Sequence, residues 1–470
     1  LGESDKQKYP LWIKPNRSKH LNVKNRQNLF EHIQFHNNST MRQSLTLPLP
    51  HQDALQRQLL HWAAANPHSA VLYGHAAPPS PVPPVWDVLA GVGAAHLLTC
   101  SAGSAFEQLM AFQAAHADWL FGYFSYDLKN ETEALQSDHA DHIGFPDMVF
   151  WVPETVVGIR NGQLEIHCLH EDPHRVLSTI QATTPAVRAT APPAITLEPL
   201  QTKSDYLHTV GAIRQHIIDG DVYELNYCQA FQARQVALDP VPVFERLQAL
   251  SRAPFAAWLR VDDRYALCAS PERFLKHQDG VLYSQPIKGT RRRGATEAED
   301  AAIRNALQNS EKDRAENVMI VDLVRNDLAR NSVPGSVVVD ELFGLYTFPT
   351  VHQMISTVRS TLRPGVHPLA ALRDAFPMGS MTGAPKVMAM QLIERYERAR
   401  RGLYAGTIGY ITPGGNYDFN VVIRTILYDA QGRRVSATVG GAIVYDSLPE
   451  EEYEECLVKV EALVRALDGT

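Results

Sequence analysis

The chain has 470 residues, 45% of them hydrophobic and 20% charged, which supports a sizeable core and excludes a wholly disordered chain or a coiled coil. Its formal charge of −7 offers no general surface for nucleic acid or an anionic membrane, so a small anionic substrate would need local basic residues. Five cysteines, Cys100, Cys168, Cys228, Cys268 and Cys456, are scattered without a C-x-x-C pair; neither a zinc site nor a disulfide framework is readable, and a reducing cytoplasm is the expected location.

Residues 1–40 carry seven Lys and Arg against three Asp and Glu and stop just before Met41, a composition expected of a non-native or disordered extension. Residues 41–180 form the expected N-terminal region. Its apolar and aromatic runs Phe121–Asp127 and Met148–Val152 read as strands, with Ala-rich helical stretches between them. Residues 181–202, rich in Pro, Ala and Thr, read as an extended connection and the best domain boundary. In 203–470, helical patterns at 205–219, 298–330, 385–400 and 449–467 mix with strand patterns at Tyr265–Ala269, Ser336–Val339 and Asn420–Tyr428. Strands and helices do not alternate strictly, so the expected class is α+β with antiparallel sheets. No apolar run approaches the ~18–20 residues of a membrane span, and no membrane partner is expected.

Several segments carry candidate chemistry. Glu311–Arg330 reads as a helix with Asp313, Glu316, Ile320, Val324 and Asp327 on one face. Carboxylates within an apolar stripe need partners, either basic side chains or a cation. The segment Asp446–Leu467 opens with a helix-start signal and places Glu452 and Glu455 one turn apart beside its apolar stripe. Acidic residues there also suit the helix dipole. Two such helices together supply a four-carboxylate, all-oxygen set of the kind that suits Mg²⁺.

Lys288, in Gln285–Gly294, is either a solvated loop lysine or an amine of lowered pKa acting as a nucleophile. Gly379–Lys386 (GSMTGAPK) fails the phosphate-loop spacing, so nucleotide binding is not expected there. Gly440 and Gly441 follow a strand pattern and either form a tight turn or let backbone N–H groups approach an anion. Tyr404 and Arg424 stand in apolar contexts; Arg424 suits a carboxylate ligand or a core salt bridge.

Taken together, the segments GDVYELNYCQ (220–229), Ser270–Phe274, Pro286–Thr290, Asp313–Arg330, GSMTGAPK, Arg401–Gly406 and Asp446–Lys459 resemble the chorismate-utilising enzymes, and among them the aminodeoxychorismate synthase component I family. The resemblance is dense from Asp205 to Lys459 and weaker from Val71 to Asp205. It implies two packed antiparallel sheets with helices outside and the active site in the cleft between lobes of one intertwined unit. It also implies a Mg²⁺ cage of Asp313, Glu316, Glu452 and Glu455, with Glu316 and Glu455 as direct ligands.

In that family chorismate would meet Gly440, Gly441, Arg424, Tyr404 and Ser380. Lys288 would attack ring carbon C2, Glu272 would protonate the departing 4-hydroxyl, and ammonia would add at C4. The lysine pKa would have to fall and the glutamate pKa to rise. Ammonia would come from a separate glutamine amidotransferase subunit or from concentrated ammonium. Anthranilate-forming relatives carry Ala at the lysine position, and isochorismate and salicylate synthases use a lysine to activate water. Those relatives that make anthranilate often have His where this chain has Gln353, with His352 beside it. Val71–Gly74 departs from the pattern of relatives with a tryptophan pocket, although Ala253–Phe255 resembles that pocket's other wall.

Overall fold

The computed structural model describes residues 42–49, 52–75, 80–185 and 195–468. The segment 1–40 and part of the 181–202 connection lie outside them. Among the described residues the chain builds two antiparallel sheets. The larger runs in the order Gln43–Pro48, Gln163–Cys168, Thr155–Arg160, Val88–Val92, His68–Tyr73, Phe255–Val261, Arg264–Ser270, Thr425–Asp429, Arg434–Ile443, Glu224–Arg234 and Gly383–Ala384. Glu198–Pro199 adds a short strand beside Glu224–Arg234.

The second sheet runs Ile287–Arg292, Val351–Thr361, Val281–Gln285, Arg273–Gln278, Tyr417–Asn420, Thr407–Ile411, Leu120–Phe124, Met148–Val152 and His96–Cys100, with Val338–Thr347 also paired to Val351–Thr361. Each sheet therefore joins a block of strands from before the 181–202 connection to a block from after it.

Period-two alternation decides which core each strand feeds. In Phe255–Val261, Ala257, Leu259 and Val261 join one cluster with Phe121, Trp151 and Leu275 of the second sheet, together with Ile320 and Val324 of the helix Glu311–Ala329. Ala256 and Trp258 point the other way, into a second cluster with Leu59, Phe244, Cys456 and Leu463 of the helices that cover the larger sheet. Strands covered on both faces read as nearly continuous apolar runs, which is why Met148–Val152 is legible and fully buried.

Three sequence patterns resolve differently in the structure. The 298–330 pattern is two helices, Glu297–Gln308 and Glu311–Ala329, because the Ser310 side chain accepts the Asp313 N–H and starts a new helix. The Ser336–Val339 strand begins only at Val338 and runs on to Thr347. Asn420–Tyr428 is not one strand. Tyr417–Asn420 belongs to the second sheet and Thr425–Asp429 to the larger one, and Val421–Arg424 carries the chain across. Pro271–Glu272 makes a similar crossing between Arg264–Ser270 and Arg273–Gln278.

Candidate functional site

The two crossings lie side by side, the Val421 N–H donating to the Glu272 carbonyl at 3.0 Å. They deliver Glu272 and Arg424 to a cavity of about 800 Å³. Lys288, Asp313, Glu316, Ser380, Tyr404, Gly440, Gly441, Glu452 and Glu455 line the same cavity, so every site residue expected from the sequence is brought together.

Lys288 reaches the cavity through an irregularity in its strand: Ile287 pairs with Ile355 and Thr290 with Gln353, leaving Lys288 and Gly289 displaced between them. Gly289 has φ +87°, and a side chain there would press on Leu307 and Asp313. The Lys288 amine is 8% exposed and donates a hydrogen bond to Glu224 Oε1. Burial acts to lower its pKa, but Glu224, Glu316 and Glu272 face it with negative charge, and the net direction is upward. The expected lowering is therefore absent here, because the charges nearest the amine are carboxylates rather than cations.

Glu272 is 5% exposed; burial pushes its carboxyl up to about 7, against a hydrogen bond with Ser380 and the charge of Lys288. Glu316 is likewise raised to about 7, first by burial and further by Glu224 and Asp313, with Lys288 and Lys312 opposing. A neutral carboxylic acid close to a lysine is thus accessible near pH 7.

Arg424 adopts φ +52°, a left-handed conformation uncommon for a residue with a side chain. No hydrogen bond or ion pair holds its guanidinium among the described residues, and Tyr404 and Glu455 lie near it. The salt-bridged alternative thus gives way to a guanidinium open to the cavity. Tyr404 is buried, with its hydroxyl 3.7 Å from Cys228 Sγ. Gly440 is required by packing, since a Cβ would stand 2.3 Å from the Tyr227 carbonyl of the paired strand. A Cβ at Gly441 would stand 3.1 Å from Glu452 Oε2 and 3.5 Å from Glu455 Oε1, so its missing side chain leaves open space beside both carboxylates.

The donor chemistry of the four carboxylates suits a hard cation, and the open space at Gly441 is consistent with one. Their arrangement is looser than a closed cage: among the described residues no three His, Cys, Asp or Glu side chains form a metal-binding group. Basic side chains hold three of them, Arg291 on Asp313 at 2.6 Å, Lys312 on Glu452 at 3.7 Å and Lys459 on Glu455 at 2.5 Å. Lys459 also donates to the Gly440 carbonyl at 2.6 Å, tying the C-terminal helix to the paired glycines. Asp327 does take the salt-bridge alternative, bound by Lys386 at 2.7 Å, so the GSMTGAPK lysine serves packing.

Gln353, not His352, lines the cavity; His352 is turned to Asp300 and Thr347, each at 2.9 Å. Val71–Gly74 and Ala253–Phe255 do meet: Leu72, Tyr73, Gly74, Pro254 and Phe255 share a separate cavity of about 50 Å³. Sequence reasoning missed Glu224, Arg291, Lys312 and Lys459. For Glu224 a signal was present, because the alternation in Glu224–Arg234 puts Glu224, Asn226 and Cys228 on the face opposite the apolar Leu225 and Tyr227.

A family model described as chorismate binding enzyme matches residues 80–465. An aminodeoxychorismate synthase of Streptomyces griseus is 42% identical over 364 residues, 74% of this chain and 50% of that protein; the chain spans half the length of this relative. Aminodeoxychorismate synthase component 1 of Klebsiella aerogenes is 38% identical over 74% of this chain and 77% of its own. Among solved structures, anthranilate synthase component I of Streptococcus pneumoniae superimposes with a TM-score of 0.72 at 25% identity, over 83% of this chain and 94% of that one.

Proposed function

The chain belongs to the chorismate-binding enzyme family, and we propose that it aminates chorismate at C4 to give 4-amino-4-deoxychorismate, for p-aminobenzoate and folate synthesis in the cytoplasm. Ammonia comes from a separate glutamine amidotransferase subunit. The observation that carries the reading is the buried Lys288 amine sharing one cavity with Glu272, a carboxyl whose pKa lies near neutrality. The identities to aminodeoxychorismate synthases support it.

In this reading the unpaired Arg424 receives one substrate carboxylate, while Ser380, Tyr404 and the backbone at Gly440 and Gly441 orient the ring. Lys288, protonated in the substrate-free cavity, first loses its proton to solvent and then, as the free amine, adds to C2; the ring double bonds shift, the C4–O bond breaks, and the leaving oxygen takes its proton from Glu272 and departs as water. Ammonia then adds at C4, the double bonds shift back, and the C2–N bond breaks to release Lys288. Mg²⁺, held by Asp313, Glu316, Glu452 and Glu455, would supply positive charge that offsets the substrate's second carboxylate.

The test is to incubate the chain with chorismate, Mg²⁺ and concentrated ammonium and to identify products by liquid chromatography with mass detection, beside Lys288→Ala. Aminodeoxychorismate from the wild type, falling by about 10²-fold or more in the variant, is expected. Anthranilate, isochorismate or salicylate as the main product overturns the assignment.

A further inference from the structure

Glu224 has no part in the chemistry above, yet its carboxylate is 1% exposed and is the hydrogen-bond acceptor of the Lys288 amine. Its second oxygen, Oε2, has no hydrogen-bond partner among the described residues. Glu272 and Glu316 also face Lys288, but through charge alone. A buried carboxylate left half unsatisfied is costly, and such groups persist where they have a task.

The backbone of Glu224 is held firmly. As the first residue of its strand it pairs with Ala384, and the Tyr223 N–H donates to the Ala384 carbonyl at 2.7 Å. Gly383 has φ +149°, and a Cβ there would fall 2.1 Å from the Glu224 carbonyl oxygen. Part of the GSMTGAPK segment is thereby accounted for: its Gly-Ala strand presses against the Glu224 backbone at a separation only glycine permits. Lys288, by contrast, sits in an irregular stretch of strand on a flexible four-carbon stem. The firm partner fixes the mobile one.

We propose, on the reading of Lys288 as the nucleophile, that Glu224 is its positioning residue, holding the ε-amino group at the cavity wall where it can meet the substrate ring. Misplacement of a reacting group by about 1 Å can cost on the order of 10²-fold in rate. Glu224→Ala should therefore lower kcat at least about 10-fold with KM for chorismate unchanged. Glu224→Gln keeps an acceptor oxygen at the same reach and should stay within about threefold of wild type. Glu224→Asp keeps the charge but retracts it by one methylene, and should resemble Glu224→Ala.

A second readout does not need turnover: acetylation of Lys288 in the substrate-free protein, measured by peptide mass spectrometry with Lys312 and Lys459 as internal references. Both Glu224→Ala and Glu224→Gln lose the charge that holds the Lys288 proton, but only Ala also frees the amine, so Lys288 should label several-fold faster in Glu224→Ala than in Glu224→Gln, and faster in Glu224→Asp than in the wild type. Wild-type kcat and labelling in Glu224→Ala overturn the proposal. So do equal losses in Ala and Gln variants, which would mark a merely structural role. If the labelling pattern holds but the wild type makes no aminated product, the positioning role stands and the functional reading fails.

Discussion

At the scale of single residues, burial is what gives the cavity its chemistry. A carboxyl on the surface is ionised near neutral pH, whereas Glu272, 5% exposed, is held at about 7 by desolvation. On the proposed reading it acts in its protonated form, and that form is lost as pH rises through about 7, so kcat should fall on the alkaline side of neutrality; Glu272→Gln should remove that limb and lower kcat by about 10²- to 10⁴-fold in a pH–rate series. Arg424 works in the opposite sense, as a cation with no hydrogen-bond or ion-pair partner among the described residues, although Tyr404 and Glu455 lie near it. Arg424→Gln should raise KM for chorismate by about 10- to 100-fold, the equivalent of one charge-assisted hydrogen bond of about 1.5–3 kcal/mol, in steady-state kinetics. The carboxylates of the C-terminal helix were legible in the sequence because Glu452 and Glu455 stand one turn apart along the border of a regular apolar stripe. Glu224 was not singled out, because the alternation of its strand marks only a polar face, and its opposite number, Lys288, is distant in the sequence and meets it only in space.

Secondary-structure elements matter here chiefly where they end. Glu272 and Arg424 both lie on segments where the chain leaves one sheet for the other, and Lys288 lies in an irregular stretch of an edge strand. The sequence pattern of Asn420–Tyr428 hid the second of these crossings, since β-branched residues continue through Val421–Ile423 and nothing local marks the change of sheet. The left-handed φ of Arg424 is what turns the chain, and arginine is not a residue whose presence predicts such a conformation. Paired glycines were legible as a close approach. Cys228 and Gly440 are register partners, and a methyl at Gly440 would meet both the Tyr227 carbonyl and Cys228 Sγ at 2.5 Å or less. Gly440→Ala should destabilise the protein by about 1–3 kcal/mol in urea unfolding and weaken substrate binding at the same strand.

At the scale of the whole molecule, both sheets join strands from both sides of the 181–202 connection, while the residues that line the cavity, from Asn226 to Arg465, all follow that connection. His68–Tyr73 pairs with Phe255–Val261, and Leu120–Phe124 pairs with Thr407–Ile411. The α+β class and antiparallel pairing follow from the irregular alternation of strand and helix patterns. The joining of strands from both sides of 181–202 in each sheet does not follow, because strand order is a long-range property that local propensity leaves unspecified. The cavity's polar inner wall and apolar surroundings would shelter a covalent intermediate, and that intermediate is the point on which the functional reading turns. Incubating the protein with chorismate and Mg²⁺ in the absence of ammonia, followed by denaturation and peptide mass spectrometry, measures it directly. A mass gain equal to chorismate less one water on the peptide containing Lys288, absent in Lys288→Ala and discharged by added ammonium, is predicted. Turnover to an aminated product with no adduct at Lys288, or an adduct at another residue, would contradict the assignment of the nucleophile.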